Sequence, residues 1–143
     1  MSVYVDTKYR IKRSAEYDED MRYIVQELKI VQTMSDLLVV CALIGYNNNA
    51  YVEFEKNSQD GVLMQFFSQR HYDLMDLIAY ARKKSQNVLK ETEKYKIFES
   101  YANGGFPIFI KCLEIDLAQR ERNNRLSILK KYYSLLLSGG FVL

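Results

Sequence analysis

The stretch that most constrains the fold is residues 98–107, which read Phe-Glu-Ser-Tyr-Ala-Asn-Gly-Gly-Phe-Pro. Asn103, Gly104 and Gly105 accept the positive φ of a left-handed turn at little cost, so we expect a helix to end here. Pro107 fits the first turn of a following helix, where its missing N–H is not needed. The sequence therefore predicts a sharp corner between two packed helices, with these three residues as its structural turn.

Helical periodicity covers most of the remaining chain. Leu37–Ile44 is apolar on nearly all faces, so we expect other elements to cover it from several sides and Gly45 to end it. Apolar residues recur at steps of three and four over residues 21–31, 62–67, 74–81, 88–101 and 126–137. Asp76 and Lys94 fall on the polar sides of two of these helices, so we expect both in solvent. The pattern predicts an all-α fold, a single compact domain of about five to seven helices over residues 1–143.

Two segments are candidates for extended structure. Residues 1–15 alternate loosely between apolar and polar side chains and predict a short strand or an extended arm. Residues 50–56 alternate briefly in the same way, and we expect any β element to be minor and confined to these two places. Arg10, Lys12 and Arg13 make the arm a candidate for contact with phosphate or with an acidic partner surface. The alternative is a solvated terminus.

The net charge and the apolar content exclude several classes of protein. The formal net charge is +2 and the hydrophobic fraction is 48%, which is enough for a core and too weakly basic for a dedicated nucleic-acid binder. The longest apolar runs fall far short of the ~20 residues that a membrane span needs. The N-terminus is polar from Asp6 onward and does not resemble a signal peptide. We therefore expect a cytoplasmic protein without a membrane partner.

The side chains offer little for catalysis. His71 is the single histidine, and no cysteine or carboxylate stands near it at the spacing of metal ligands. Gly104 and Gly105 are not followed by the Lys-Ser/Thr pair of a nucleotide loop, and no dinucleotide-binding glycine motif occurs. We therefore expect no catalytic residues, no cofactor and no cofactor-binding or metal site. A cryptic nuclease stays an alternative.

Basic residues gather in two parts of the chain. The candidate contacts to DNA phosphates are Arg82, Lys83, Lys84, Arg120, Arg122, Arg125, Lys130 and Lys131. Tyr132 and Tyr133 stand beside the second group and could stack on bases. The alternative is that helix ends favour Lys and Arg, and that these side chains are simply solvated. DNA is therefore a candidate partner.

The C-terminal part, residues 118–143, is predicted as a basic helix with an apolar tail. The tail, Phe141-Val142-Leu143, should be docked, either on its own core or on a partner subunit. The chain also holds twelve Tyr, whose rings can pack while their hydroxyls stay in water. A homo-oligomer formed through a Tyr-rich surface and this tail is the corresponding hypothesis.

Two motifs resemble a known family. Leu43–Asn47 ends an apolar helix with Leu-Ile-Gly-Tyr-Asn, and residues 97–106 read Ile-Phe-Glu-Ser-Tyr-Ala-Asn-Gly-Gly-Phe further along the chain. In this order they resemble the Dnd system-associated protein 4 family, which is accessory to DNA phosphorothioation and to the restriction linked to it. The resemblance covers roughly residues 8–117 and leaves residues 118–143 outside. Members commonly carry leucine where Phe106 stands here, with no proline directly after it.

The resemblance implies a context and no chemistry. Members work in bacterial antiviral defence beside DNA and larger nucleases or ATPases, and no catalytic residue can be carried over from them. We therefore expect a non-enzymatic accessory protein of a DNA phosphorothioation and restriction system. It would act through contacts with other defence-system proteins, with contacts to the DNA backbone left open. The alternatives are a small DNA-binding transcriptional regulator and a purely structural oligomerising subunit.

Overall fold

The computed structural model describes residues 4–58 and 60–141. Its five α-helices are α1 (Asp18–Arg22), α2 (Met34–Asn47), α3 (Gln69–Lys83), α4 (Glu93–Leu113) and α5 (Arg125–Ser138). Strands β1 (Arg10–Ile11) and β2 (Val62–Leu63) form one small antiparallel sheet. The shorter helical turns are Ala15–Tyr17, Met64–Phe66, Gln86–Lys90 and Arg120–Arg122, which are 3-10, and Tyr23–Glu27, which is π-helical. The predicted fold class, one compact and mostly helical domain, is confirmed.

Helices α2 and α4 form the centre of the core. The side chains of Leu37 and Cys41 in α2, and of Phe109 in α4, are completely buried. The hydroxyl of Thr33 accepts the backbone N–H of Asp36 and so caps the first turn of α2. The expectation that other elements cover the apolar helix at Leu37–Ile44 from several sides is confirmed, because most of its side chains are buried. No helix in the described part of the chain is long and apolar enough to span a bilayer.

The corner predicted at Asn103, Gly104 and Gly105 is wrong. These residues lie in the middle of α4, which continues through Pro107 to Leu113. A Cβ on Gly105 would stand 1.8 Å from the carbonyl oxygen of Cys41 in α2, and one on Gly104 would stand 2.0 Å from the carbonyl oxygen of Ala50. Glycine is needed here because two backbones approach closely, and not because the chain turns.

Gly45 does not end α2 either. The helix continues to Asn47, and a Cβ on Gly45 would stand 2.1 Å from the carbonyl oxygen of Tyr101 in α4. The helix ends where Asn48 donates its side-chain amide to the carbonyl of Ile44, at 2.8 Å. Asn49 then takes a positive φ of 54°. The two helices thus contribute glycines to the same crossing. Both helices continue through it, although Pro107 has no N–H to donate to the carbonyl of Asn103 in α4.

The β structure differs in part from expectation. Strand β1 confirms a minor β element near the N-terminus, whereas residues 50–56 contain no strand. The helix predicted over residues 62–67 is wrong, because residues 62 and 63 pair with Ile11 and Arg10 and a 3-10 turn follows. This pairing gives backbone partners to a segment that would otherwise be extended and unpaired. The predicted arm therefore packs on the domain, and Ile11 is completely buried.

The C-terminal segment folds back onto the core. Helix α5 buries Ile128 and Tyr132, and Phe141 stacks on Phe109 of α4 at a ring-centroid distance of 5.9 Å. Phe141 is also 6.0 Å from the ring of Tyr132. The first residue of the predicted apolar tail thus docks on its own chain. Residues 142 and 143 lie outside the described part.

Candidate functional site

The first group of predicted phosphate contacts lies at the C-terminal end of α3. The guanidinium of Arg82 lies 3.4 Å from the ring centroid of Tyr51 and donates to the hydroxyl of Tyr101 at 3.3 Å. The hydrogen bond to Tyr101 raises the pKa of Arg82 above its ordinary value. Lys83 forms an ion pair with Glu93 at 3.3 Å. Arg82 and Lys83 therefore contact the protein itself, and a phosphate would compete with these contacts.

Lys84 completes this group and differs from its neighbours. It is the residue that follows α3, with a φ of 58°, and its backbone N–H donates to the carbonyl of Tyr80. Its side chain is exposed and has no ion pair within the described residues. Lys84 is thus the member of the first group that stays available to an external anion.

Two arginines of the second group hold the first helices of the domain. Arg120 lies 4.5 Å from the ring centroid of Tyr23 and pairs with Asp20 at 3.0 Å. Arg125 donates from Nε to the carbonyl oxygen of Leu28 at 2.7 Å, which closes the C-terminal end of the π-helical turn. Basic groups are favourable at the end of a helix, where carbonyls lack intrahelical partners. Both arginines therefore have a structural role.

Of the remaining three residues of the second group, one is held in an ion pair and two are exposed. Lys131 forms an ion pair with Glu114. Arg122 and Lys130 are exposed, and neither has an ion pair within the described residues. Within the described residues the two predicted groups share no contact partner, and five of the eight residues contact the protein itself. Lys84, Arg122 and Lys130 are the members left free.

Arginines from the N-terminal region line a cleft that the sequence did not predict. Arg10, Arg13 and Arg22 border a volume of about 610 Å³ beside the start of α2. Asp18 accepts from Arg13 at 2.6 Å and from Arg22 at 3.2 Å, and Asp60 pairs with Arg22. Burial raises the pKa of the Asp18 carboxyl, but its hydrogen bonds and the charge of Arg13 outweigh this effect and lower it. The cleft is therefore largely neutralised from within.

Glu99 is a buried carboxyl that lines a second cavity, of about 500 Å³. Its Oε2 accepts the hydroxyl of Tyr9 at 3.0 Å and the backbone N–H of Lys12 at 2.7 Å. Burial raises the pKa of Glu99 to about 7, against the opposing effect of these two hydrogen bonds. Burial and the nearby Glu99 charge also raise the pKa of the Tyr9 hydroxyl. The group can therefore bind or release a proton near neutral pH, and it fixes the N-terminal segment onto α4.

Lys94 and Asp76 form a buried ion pair that the sequence placed in solvent. The Nζ of Lys94 lies 2.8 Å from Oδ1 of Asp76, and the side chain of Lys94 is 1% exposed. The same ammonium donates to the carbonyl oxygens of Leu89, at 2.9 Å, and of Tyr4. Two of its N–H donors thus have carbonyl acceptors, and the ammonium also forms an ion pair with Asp76, although Oδ1 of Asp76 accepts no hydrogen bond within the described residues. The expectation of two solvated charges is wrong, because the two side chains pair in the interior.

His71 has a local structural role. Its Nδ1 accepts the backbone N–H of Ser68 at 3.1 Å, while the Ser68 hydroxyl accepts the backbone N–H of His71 at 3.3 Å. This reciprocal pair caps the start of α3. Among the residues that the structure describes, no group of three or more His, Cys, Asp or Glu side chains is placed to hold a metal ion.

The outward side of α5 exposes large apolar side chains. Leu126 is 63% exposed, Tyr133 57%, Leu136 48% and Leu137 90%. We call these four residues the α5 stripe. They lie at spacings of three, four and seven residues, so they follow one side of the helix, while Ile128 and Tyr132 pack on the core. The sequence already indicates an exposed apolar side, because α5 carries more apolar residues than one buried side requires.

A groove borders the α5 stripe where α5 passes the start of α2. It has a volume of about 340 Å³. Asp36 and His71 are among the residues that line it. Its apolar wall comes from α5, from α2 and from the segment before α2, and consists of Ile30, Val31, Val39, Val40, Tyr132, Tyr133 and Leu136. The stripe and the groove are therefore continuous, because Tyr133 and Leu136 belong to both.

Comparison with known protein families places this chain in a family. The family model described as DNA sulphur modification system-associated protein 4 matches residues 10–133. No curated protein and no solved structure matches the chain. The matched region contains both helices of the glycine crossing and continues into α5, beyond the limit that the two sequence motifs suggested. The chain belongs to the family of DNA sulphur modification system-associated protein 4.

Proposed function

We propose that the chain is a non-enzymatic accessory protein of a bacterial DNA phosphorothioation and restriction system. It works in the cytoplasm by binding another protein of that system. The α5 stripe is the observation that carries this proposal, and family membership supplies its context. Large apolar side chains that lie together on a surface mark sites of interaction in soluble proteins.

The physical reason for binding is the free energy of removing the α5 stripe from water. Each Å² of apolar surface that a partner covers contributes about 25 cal/mol. Leu126, Tyr133 and Leu137 already extend from an ordered helix, so covering them requires little further ordering of this chain. The helix is held by its opposite side, through Ile128 and Tyr132, and can therefore present the stripe without losing its own packing.

Co-purification tests the proposed function. The tagged chain is co-expressed with each other protein of the sulphur-modification locus, and the variant Leu126→Asp/Leu137→Asp is compared with the native chain. We expect the native chain to retain a partner and the variant to lose it, because two charges would be buried in an apolar contact. Leu77→Asp on α3 is the matched control, since Leu77 is 64% exposed, as Leu126 is at 63%, and lines a different cavity from the one beside the stripe.

Equal retention of every partner by the double variant and by the native chain would refute a role for α5. Circular dichroism and thermal melting establish that the variants are folded. Because the substituted side chains are exposed, we expect melting temperatures close to that of the native chain.

Contact with the DNA backbone is a second candidate. It is favoured by the exposed side chains of Lys84, Arg122 and Lys130, which have no ion pair within the described residues. If they contact phosphates, the affinity for duplex DNA should fall as salt rises, with a slope of about −0.9 per contact in a plot of log K against log salt concentration. Replacing all three by serine should flatten this slope. Binding that does not depend on salt would rule out backbone contact.

A further inference from the structure

The spacing of the α5 stripe indicates the shape of its partner. Leu126, Leu129, Tyr133 and Leu136 recur at alternating steps of three and four residues, and Leu129 is half-buried at the edge of the stripe. This is the spacing of the two core positions in a heptad, which fits an α-helix laid along another α-helix. An extended strand would need backbone partners that a complete helix cannot offer. The matching shape is therefore a helix with its own apolar stripe.

The charged side chains of α5 itself have one sign, while Asp36 of α2 lines the neighbouring groove. Residues 122–141 contain Arg122, Arg125, Lys130 and Lys131 and no acidic residue. Arg125 and Lys131 are occupied, the first by the carbonyl of Leu28 and the second by Glu114. Lys130 lies between Leu126 and Tyr133 along the exposed side of the helix and is free of ion pairs within the described residues. A partner helix would therefore meet positive charge at the edge of its apolar contact.

A second copy of this chain is a poor occupant for the same reason. In an antiparallel pair of α5 helices, Lys130 of one copy would meet Lys130 of the other. In a parallel pair, Arg125 would flank Lys130 of the second copy. Both arrangements place like charges together in a partly desolvated contact, which is unfavourable. An acidic helix relieves the same charges and gains electrostatic steering during association.

The length of the stripe limits the area that a partner helix can bury, and therefore the class of interface. The α5 stripe runs from Leu126 to Leu137, which at ~1.5 Å per residue is about 17 Å, or three helical turns. A contact of this length falls in the class of small interfaces, below about 1,200 Å² in total, which are usually transient. The neighbouring groove adds apolar surface without changing this class.

We propose that the α5 stripe docks an amphipathic helix of another protein of the sulphur-modification system, a helix whose apolar side is bordered by Asp and Glu. The inference rests on the proposed function and names the chemistry of its partner. The side chains that recognise the helix are the four residues of the stripe and the free ammonium of Lys130.

Synthetic peptides test the partner's chemistry directly. One fluorescent peptide of about 18 residues, five helical turns, carries leucine at the two core positions of each heptad and glutamate beside them. A second peptide has lysine in place of each glutamate. We expect the full chain to bind the acidic peptide about tenfold or more tightly than the lysine peptide in fluorescence anisotropy, and rising salt to reduce the difference.

Variants of the chain separate the contribution of the Lys130 charge from that of the apolar stripe. Lys130→Glu should reduce or reverse the preference for the acidic peptide, while Leu126→Asp/Leu137→Asp should abolish binding of both peptides. Leu77→Asp should bind as the native chain does. An unchanged preference in Lys130→Glu would overturn the role of the charge.

Other outcomes distinguish this inference from the proposed function. Equal affinity for the two peptides, or no affinity for either while α5-dependent co-purification persists, would overturn the acidic helix and leave the proposed function in place. Sedimentation velocity of the chain alone completes the test. A dimer at micromolar concentration that Leu137→Asp dissociates would assign the stripe to a second copy and overturn the inference.

Discussion

Glu99 connects the N-terminal segment to α4 through a carboxyl whose protonation changes near neutral pH. In the unfolded chain its pKa returns to an ordinary value near 4.5, whereas in the folded protein burial raises the pKa to about 7. The folded state therefore binds this proton more tightly than the unfolded state does. The stability that depends on the proton is complete below the unfolded pKa and is lost as pH rises through the folded pKa.

Replacing Glu99 with glutamine should make this pH dependence visible. The amide oxygen of Glu99→Gln can still accept from the Tyr9 hydroxyl and the Lys12 N–H, so the variant mainly removes the ionisation. Between pH 4 and pH 8 we expect the unfolding free energy of the native chain to fall by about 3 kcal/mol relative to the variant. Urea titrations at both pH values measure it. Glu55→Gln is the exposed control, and parallel curves for Glu99→Gln and the native chain would contradict the assignment.

The burial and the partners of individual charged side chains were the features of the site that the sequence predicted least well. Asp76 and Lys94 stand on the polar sides of two helices by sequence periodicity, yet they meet in the interior because α3 packs on α4 at that point. The same limit applies to the predicted phosphate contacts. Arg82 and Arg120 look free along the chain, and their partners, Tyr101 and Asp20, become neighbours only through tertiary packing.

The crossing of α2 and α4 depends on glycine at the scale of the element. Gly45, Gly104 and Gly105 each place a hydrogen where a methyl group would overlap a carbonyl of the opposing segment. Small residues allow helix axes to approach in this way, so the crossing is close and fixed in register. A larger residue would have to push α2 and α4 apart, and the side chains between them would lose contact.

Gly105→Ala should therefore destabilise the domain by about 3 kcal/mol or more, through overpacking against the backbone of Cys41. The measurement is the free energy of unfolding in urea. Gly140→Ala is a suitable control, because a Cβ there would meet its nearest atom, Oγ of Ser138, at an ordinary 3.6 Å. The control should change stability by less than about 0.5 kcal/mol. If both variants unfold at the same urea concentration, the crossing does not require glycine.

The elements themselves were largely predictable, and the error at the glycines has a physical cause. The apolar periodicity of α2 and the cap at Thr33 identify a central helix from the sequence alone. At Gly104 and Gly105 the same residue type serves two purposes, the left-handed end of a helix or the close approach of another backbone. Local sequence does not distinguish them, because the deciding neighbours, Cys41 and Ala50, lie far away along the chain.

At the scale of the whole molecule, α5 is the outer layer. Helices α2 and α4 pack along their lengths, while α5 is attached through one side, at Ile128, Tyr132 and the tail residue Phe141. Local opening should therefore be easier for α5 than for the central pair. One-sided attachment and easy local opening both suit α5 as a binding helix. A partner helix would cover α5 from the outside and stabilise it.

Hydrogen exchange should rank the helices in that order. We expect the backbone amides of α5 to exchange about tenfold or more faster than those in the middle of α4, because they open without global unfolding. Mass spectrometry of exchanged peptides measures this, and addition of the acidic helical peptide should slow exchange in α5 while leaving α3 unchanged. Equal protection of α5 and α4 in the free protein would contradict the ranking.

The distance along the chain between α2 and α4 also matters while the protein is being made. Helix α2 is apolar on nearly all sides, and α4, which covers it, is synthesised only after α3 and the residues around it. At about 5–20 residues per second, the nascent chain exposes Leu37, Cys41 and their neighbours for a time on the order of seconds before the glycine crossing can close. We therefore expect newly made chains to need protection of α2 from other apolar surfaces during that interval.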